Sequence, residues 1–296
     1  MTPSRLTGVG TALVTPFQHG GTVDEAALRA LVDWQLAEGV HFLVPCGSTG
    51  EAATLSPEEH RRVVEIVVEQ VNGRAPVVAG AGSNDTRKAI ALSQEMKAIG
   101  ASHLLHVSPM YSKPPQRGIE AHFRAIADAV ELPIVVYNVP GRTASNIEAK
   151  TTLALAGVPG IVAVKEASGN LAQITDILTS RPQEFSVLSG DDELTLPIML
   201  GGGDGVISVV SNAAPRALVE LVEAAARGDF ATARERQATL LPLMRAAFAE
   251  SNPIPIKAAM SMLGRCENVL RLPLVPLADS HQGVLRGALR HAGAMA

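Results

Sequence analysis

Residues 161–165 read Ile-Val-Ala-Val-Lys, a short apolar run that ends in a lysine. A run of this length, rich in β-branched residues, is typical of a strand that is buried on both faces. Seven further runs of the same kind occur along the chain, with helical patterns between them. The predicted strands are 9–14, 40–44, 76–79, 103–107, 133–137, 161–165, 185–189 and 205–209.

The spacing of these runs indicates how the strands are connected. Successive strands start 20 to 36 residues apart, which is roughly the length of one βα unit of about 30 residues. Eight such units predict closure into a barrel. An open, doubly wound sheet is the alternative, but that fold carries a glycine-rich turn after its first strand, and residues 15–19 here read Thr-Pro-Phe-Gln-His.

We therefore expect an α/β fold, a (β/α)8 TIM barrel with a C-terminal helical extension. The catalytic barrel is assigned to residues 1–225, since barrels of this class take about 250 residues. The extension is assigned to residues 226–296, and its whole length has a helical pattern. Its clearest helical stretches are 230–249, 254–263 and 282–291.

Composition excludes several classes of partner and location. The chain has 25 Lys and Arg against 29 Asp and Glu, a net charge of −4, and only 3% aromatic residues, so nucleic acid is not an expected partner. Its 2 cysteines are too few for a disulfide framework, which fits the cytoplasm. We expect no signal peptide and no membrane span, because glycines and prolines interrupt the uncharged stretches near the start.

Lys165 is the first candidate for chemistry. In a TIM barrel the active site lies at the carboxyl ends of the strands, and Lys165 ends the sixth one. Partial desolvation there would lower the pKa of its amine and supply the neutral form that attacks a carbonyl to give a Schiff base. The alternative is a lysine that reaches water or pairs with Glu166. The other five lysines fall in helices or loops, where a solvated amine costs little.

Five more side chains follow predicted strands on this face. Tyr111 and Tyr137 are the only tyrosines in the chain, and their hydroxyls suit a proton relay, although each could instead cap the core. Ser48 and Thr49 lie in a glycine-flanked turn and could bind a carboxylate, or form only a turn. Arg142 follows a Pro-Gly turn and could pair with a second carboxylate, or lie on the surface.

No metal or other cofactor is expected. His103 and His106 are three apart in a predicted strand and point to opposite faces, so they are poor joint ligands. The loop at 201–205, Gly-Gly-Gly-Asp-Gly, is similar to phosphate-binding loops of some barrels, but Asp204 disfavours an anion there.

Six motifs, taken together and in this order, resemble the dihydrodipicolinate synthase / N-acetylneuraminate lyase family, and the resemblance runs nearly end to end. They are Gly-Ser-Thr-Gly-Glu at 47–51, Tyr-Asn-Val-Pro at 137–140, Val-Lys-Glu-Ala-Ser-Gly-Asn at 164–170, Ser-Gly-Asp-Asp at 189–192, Gly-Val-Ile-Ser at 205–208 and Asn-Pro-Ile-Pro-Ile-Lys at 252–257.

The resemblance implies a class I lyase that uses pyruvate, with roles for eight residues. Lys165 would form the Schiff base with pyruvate and Tyr137 would be the general acid and base. Thr49 would hold the pyruvate carboxylate, and Ser48 and Tyr111 would complete the proton relay. The remaining three are implied as substrate contacts: Arg142, and the backbones of Gly190 and Ile207.

Arg142 favours the synthase branch, in which it would receive the carboxylate of L-aspartate 4-semialdehyde in lysine and diaminopimelate biosynthesis. The alternative is an N-acetylneuraminate lyase or keto-deoxy-sugar aldolase, and Ser48 beside Thr49 is lyase-like. The family also implies a homotetramer, a dimer of dimers, with Tyr111 inserted from a neighbouring subunit. Feedback inhibition by lysine is expected to be weak or absent, because the family's His, Glu and Tyr contacts are replaced by Pro57, Lys88 and Met110.

Overall fold

A sheet of eight parallel strands forms the centre of the protein in a computed structural model that describes residues 5–295. Its strands pair in the order β2-β1-β8-β7-β6-β5-β4-β3. They are β1 Gly8–Ala12, β2 Phe42–Val44, β3 Val78–Gly80, β4 His103–Val107, β5 Ile134–Asn138, β6 Ile161–Glu166, β7 Ser186–Ser189 and β8 Gly205–Ser208.

The two ends of this sheet meet between β2 and β3. The Leu43 N–H donates to the Pro76 carbonyl at 3.1 Å, and the Gly80 N–H donates to the Pro45 carbonyl at 3.0 Å. These bonds leave the barrel nearly closed, which removes the exposed sheet edges. The predicted (β/α)8 architecture is confirmed, and each strand begins within two residues of its predicted start.

Helices alternate with the strands and continue beyond them. In the described residues they are α1 Glu25–Ala37, α2 Pro57–Val71, α3 Thr86–Ile99, α4 Gln116–Ala129, α5 Pro140–Thr143, α6 Ala149–Ala156, α7 Leu171–Ser180, α8 Thr195–Leu200, α9 Pro215–Ala226, α10 Phe230–Ala246, α11 Ile254–Met262 and α12 Asp279–His291. No helix within this part of the chain is long and apolar enough to cross a membrane.

Local sequence explains where α2 begins and ends. The Ser56 hydroxyl accepts the Glu59 N–H at 3.2 Å, and the Glu59 carboxylate accepts the Ser56 N–H at 2.9 Å, so two free amides of the first turn are satisfied. Pro57 occupies the first helical position, where no amide hydrogen is needed. The helix ends at Asn72, which has a left-handed conformation.

The core has two apolar layers because alternate residues of each strand point to opposite sides. One layer fills the barrel and includes Phe42, Leu105 and Leu188; the other lies between the strands and the surrounding helices. Gly10 makes room in the inner layer, since a Cβ there would lie 2.0 Å from a ring carbon of Phe42. Aliphatic residues therefore fill most of the interior, as the low aromatic content requires.

The C-terminal extension is helical in α10, α11 and α12, but the segment between α11 and α12, residues 263–278, has no regular helix. The prediction that the whole tail is helical was wrong here. Pro273 and Pro276 lack the amide hydrogen that a helix needs. Arg271 lies in this segment and donates to the Gly21 and Thr54 carbonyls, which holds the segment against the barrel.

The glycine-rich loop at 201–205 lies at the amino end of β8, away from the carboxyl ends of the strands. The Asp204 carboxylate pairs with Arg5 and Arg181, so the loop is tied down by two cations of the chain itself. The sequence argument against an anion at this loop agrees with these contacts.

Candidate active site

A cavity of about 1080 Å³ opens at the carboxyl ends of the strands. Of the eight residues predicted for the site, it is lined by six: Ser48, Thr49, Tyr137, Arg142, Lys165 and Gly190. Tyr111 and Ile207 are not among its lining residues. Residues more than 100 positions apart are therefore brought to one mouth of the barrel.

The Lys165 amine is buried in this cavity. Only 5% of the residue is exposed. The pKa of its amine is about 7: burial lowers it, the Asp192 carboxylate partly opposes this change, and the Arg142 charge adds to it. The alternative was an ion pair between Lys165 and Glu166. Glu166 instead accepts hydrogen bonds from the Asn138 side-chain amide at 3.1 Å and the Ser168 N–H at 2.7 Å.

Tyr137 lies beside this amine. The two residues are direct partners in the β5–β6 ladder, and the Lys165 Nζ lies 4.2 Å from the centre of the Tyr137 ring. Burial raises the pKa of the Tyr137 hydroxyl to about 12, so the hydroxyl carries its proton at neutral pH. Near pH 7 a protonated phenol therefore lies beside an amine that is about half neutral.

The packing around Lys165 leaves no room for a side chain at position 190. A Cβ at this position would lie 2.8 Å from the Ala167 Cβ and 3.1 Å from the Lys165 Cε. The Gly190 N–H donates to the Glu166 carbonyl at 2.8 Å, so this amide is already used in a backbone hydrogen bond between the ends of β7 and β6. Ile207 is fully buried in the inner layer below the cavity. Backbone contacts from Gly190 and Ile207 to a substrate stay predictions.

Thr49 and Arg142 are both held by Asn252, a residue of the C-terminal extension. The Asn252 side-chain amide donates to the Thr49 Oγ1 at 2.9 Å, and an Arg142 Nη donates to the Asn252 carbonyl at 3.1 Å. Thr49 is 3% exposed, whereas Ser48 beside it is open to solvent. Arg142, in the short helix α5, is also exposed and extends its charge over the cavity mouth.

Tyr111 is placed differently from the other candidates. It follows β4 in a loop, has a φ of 72°, and is 89% exposed. Its hydroxyl therefore does not enter the cavity of its own chain. The contribution of Tyr111 to a neighbouring subunit's site stays a prediction.

Two buried charged groups near the cavity were missed by sequence reasoning. The Lys257 ammonium pairs with the Glu51 carboxylate, and neither side chain has exposed area. The expectation that Lys257 is solvated was wrong, because α11 is part of the extension that packs against the barrel, and its first residues, including Lys257, are buried. Its position in the Asn-Pro-Ile-Pro-Ile-Lys run was the available signal, since the residues around it are apolar.

Asp192 is the second missed group. Burial raises the pKa of its carboxyl to about 6, although the Ser208 side chain and the Val209 and Val210 amides, at 3.0 and 3.2 Å, favour the charged form. Its Oδ1 is buried and has no hydrogen-bond partner in the described part of the chain. When it is charged, Asp192 raises the pKa of Lys165.

The residues at the expected feedback site, Pro57, Lys88 and Met110, line a continuation of the same cavity with His60 and Asn84. A cation at Lys88 disfavours a second ammonium group nearby. Weak or absent inhibition by lysine stays a prediction.

Within residues 5–295, no group of three or more His, Cys, Asp and Glu side chains lies close enough to hold a metal ion. His106 meets the Ser93 hydroxyl at 3.1 Å on the helix-facing side of β4. Burial lowers the pKa of His106 to about 3 and that of His103 to about 4, so both rings are neutral at physiological pH.

Comparison with known proteins gives one family. Residues 5–292 match the Dihydrodipicolinate synthetase family. A 4-hydroxy-tetrahydrodipicolinate synthase of Koribacter versatilis is 52% identical over 292 residues, which are 98% of this chain and 97% of the relative.

Two solved structures are also similar. A chloride-inhibited dihydrodipicolinate synthase from Acinetobacter baumannii, complexed with pyruvate, has a TM-score of 0.96 and 42% identity over 98% of this chain and 99% of its own. A dihydrodipicolinate synthase variant described as monomeric has the same TM-score and identity and covers 98% of both chains.

Proposed function

The chain belongs to the dihydrodipicolinate synthetase family, and from that premise we propose that it condenses pyruvate with L-aspartate 4-semialdehyde, as a 4-hydroxy-tetrahydrodipicolinate synthase does. The chain is then a Schiff-base lyase of lysine and diaminopimelate biosynthesis. The observation that carries the chemistry is the buried Lys165 amine, whose pKa of about 7 leaves much of it neutral at physiological pH.

The first half of the reaction activates pyruvate. The neutral Lys165 amine attacks C2 of pyruvate and forms a carbinolamine after one proton moves from nitrogen to oxygen. Tyr137 gives its proton to the carbinolamine hydroxyl, which leaves as water, so that an iminium ion and a tyrosinate remain. The tyrosinate then takes a proton from C3, which gives the nucleophilic enamine and restores the phenol. Thr49 holds the pyruvate carboxylate during these steps.

The second half forms the carbon–carbon bond. The enamine C3 attacks the aldehyde carbon, Tyr137 protonates the resulting alkoxide, and the iminium ion returns. The amino group of the semialdehyde then attacks the iminium carbon, which closes the ring and releases Lys165 as a neutral amine. The attacking amino group gives one proton to the departing Lys165 nitrogen and its second proton to the Tyr137 tyrosinate through Ser48 and Tyr111, so that the ring closes as a cyclic imine.

Arg142 selects the acceptor by pairing with the semialdehyde carboxylate. Replacing Arg142 with alanine should raise the KM for the semialdehyde about tenfold to a hundredfold, since a hydrogen bond to a charged group contributes about 1.5–3 kcal/mol. Steady-state kinetics with varied semialdehyde measure this. The pyruvate adduct should still form and be trapped with borohydride, but more slowly near neutral pH, because loss of the Arg142 charge raises the pKa of Lys165.

The control for Arg142 is Arg87→Ala, at a position that does not line the cavity. Acceptor profiling of the unaltered enzyme tests the alternative function. Faster turnover with N-acetylmannosamine or a sugar aldehyde than with the semialdehyde would contradict the synthase assignment and favour a sialate lyase or keto-deoxy-sugar aldolase.

The rate of Schiff-base formation should depend on pH through Lys165. Its pKa of about 7 means that below pH 7 the neutral fraction falls about tenfold per pH unit, whereas above pH 7 the rate reaches a plateau. Asp192, with a pKa of about 6, is charged across the plateau, and Tyr137, with a pKa of about 12, stays protonated.

Stopped-flow or quenched trapping of the pyruvate adduct between pH 5.5 and about 9.5 measures this dependence. A lysine with the ordinary pKa of 10.5 would instead give a rate that rises throughout this range. A profile without a plateau would therefore contradict the desolvated amine.

We further propose that the chain assembles as a homotetramer, a dimer of dimers. The support is Tyr111, which is 89% exposed and does not line the cavity of its own chain, so that the relay needs a second copy. Sedimentation at assay concentration tests the assembly, and an active monomer would refute it.

A further inference from the structure

Asn252 connects the C-terminal extension to both groups that are proposed to receive substrate carboxylates. It precedes α11, is 5% exposed and lines the cavity. Its side-chain amide lies 2.9 Å from the Thr49 Oγ1, and its carbonyl accepts an Arg142 Nη at 3.1 Å. One residue of the extension therefore contacts the pyruvate side and the semialdehyde side of the site.

We propose that Asn252 is a positioning residue that orients the Thr49 hydroxyl toward the pyruvate carboxylate. This inference rests on the proposed function, in which Thr49 binds that carboxylate. Because the Asn252 amide donates, the Thr49 oxygen is the acceptor of the pair and its own proton stays available. Within residues 5–295 that hydroxyl donates to no protein group. A carboxylate only accepts hydrogen bonds, so it requires this orientation of the hydroxyl.

The surrounding structure keeps the two residues at this separation. Glu51, two residues after Thr49, pairs with Lys257, five residues after Asn252. The Lys257 N–H also donates to the Pro253 carbonyl at 2.9 Å in the first turn of α11. The Thr49 turn and the start of α11 are thus joined by a buried ion pair as well as by the Asn252 amide, which limits their relative movement.

Asn252→Asp tests the direction of this hydrogen bond with almost no change in shape. An ionised carboxylate only accepts, so the Thr49 hydroxyl must turn its proton away from pyruvate. We expect the KM for pyruvate to rise about tenfold to a hundredfold, while kcat and the KM for the semialdehyde change less than about threefold. The matched control is Asn72→Asp, which makes the same charge change at the exposed end of α2.

A double-mutant cycle with Thr49→Val separates positioning from a general structural effect. In the Thr49→Val background, Asn252→Asp should raise the pyruvate KM less than about threefold. This small increase would come from repulsion between the added carboxylate and the carboxylate of pyruvate. The same large increase in both backgrounds would overturn the inference. If Asn252→Asp does not fold, Asn252→Ala enters the cycle in its place, with a smaller increase expected that also disappears without the Thr49 hydroxyl.

Adduct formation and the pyruvate KM distinguish a wrong role for Asn252 from a wrong function for the protein. If the unaltered enzyme forms no borohydride-reducible adduct with pyruvate, the proposed function fails, and the inference fails with it. If the unaltered enzyme forms the adduct and Asn252→Asp leaves the pyruvate KM within about twofold of its value, only the positioning role of Asn252 is refuted.

Discussion

Lys165→Met should lower turnover by a factor of about 10⁴ or more, because removal of a catalytic nucleophile abolishes the covalent pathway. After borohydride reduction with pyruvate, the unaltered enzyme should carry an Nε-(1-carboxyethyl) group at Lys165 and the variant should carry none. Peptide mass mapping measures the adduct, and a coupled steady-state assay measures turnover. Full turnover by the variant, or an adduct on another lysine, would contradict the assignment.

The matched control is Lys97→Met, which removes an exposed amine that pairs with Glu131 on the surface. It should retain full activity.

Lys165→Met should also unfold at a higher temperature than the unaltered chain when pyruvate is absent. The folded-state pKa of Lys165 lies below its unfolded value of 10.5, so burial of the amine costs stability, most below pH 7 and none above about pH 10.5. The expected gain at neutral pH is of the order of a few kcal/mol.

The barrel and the position of Lys165 were predictable because both depend on local patterns. A buried strand is an apolar run of a few residues, and a TIM barrel brings the ends of all its strands to one face. Hence Ser48, Thr49, Tyr137, Arg142 and Lys165 could be assigned to one site before any distance was known. The resemblance to the family added the substrates and the individual roles, which no strand pattern contains.

The contacts of the extension were not predictable from local patterns. Lys257 and Glu51 are 206 positions apart, and Asn252 and Thr49 are 203 apart. No periodicity relates such residues, because their proximity depends on how residues 247–278 fold back over the barrel mouth. Pro273 and Pro276 were a local sign that residues 263–278 are not wholly helical, but the path of this segment is fixed by Arg271, whose partners lie near residues 21, 54 and 59.

Among the contacts of the extension, the buried ion pair of Glu51 and Lys257 should have the largest effect on the free energy of unfolding. Burial lowers the pKa of Lys257, and the Glu51 carboxylate opposes that change. The Glu51 carboxylate also accepts the Arg271 N–H at 3.2 Å, and the Lys257 Nζ lies 4.0 Å from the centre of the Phe17 ring. The loss of either charge would leave the other in an apolar site with little compensation.

Lys257→Met should therefore destabilise the chain by about 3–5 kcal/mol, whereas Lys97→Met, at an exposed ion pair, should cost about 0–1 kcal/mol. Urea denaturation measures both. The double variant Glu51→Gln/Lys257→Met removes both charges and should lose less stability than Lys257→Met alone, because no unpaired charge stays buried. If the losses in unfolding free energy add in the double variant, the two side chains contribute independently. If Lys257→Met costs no more stability than Lys97→Met, the ion pair does not hold the extension against the Thr49 turn.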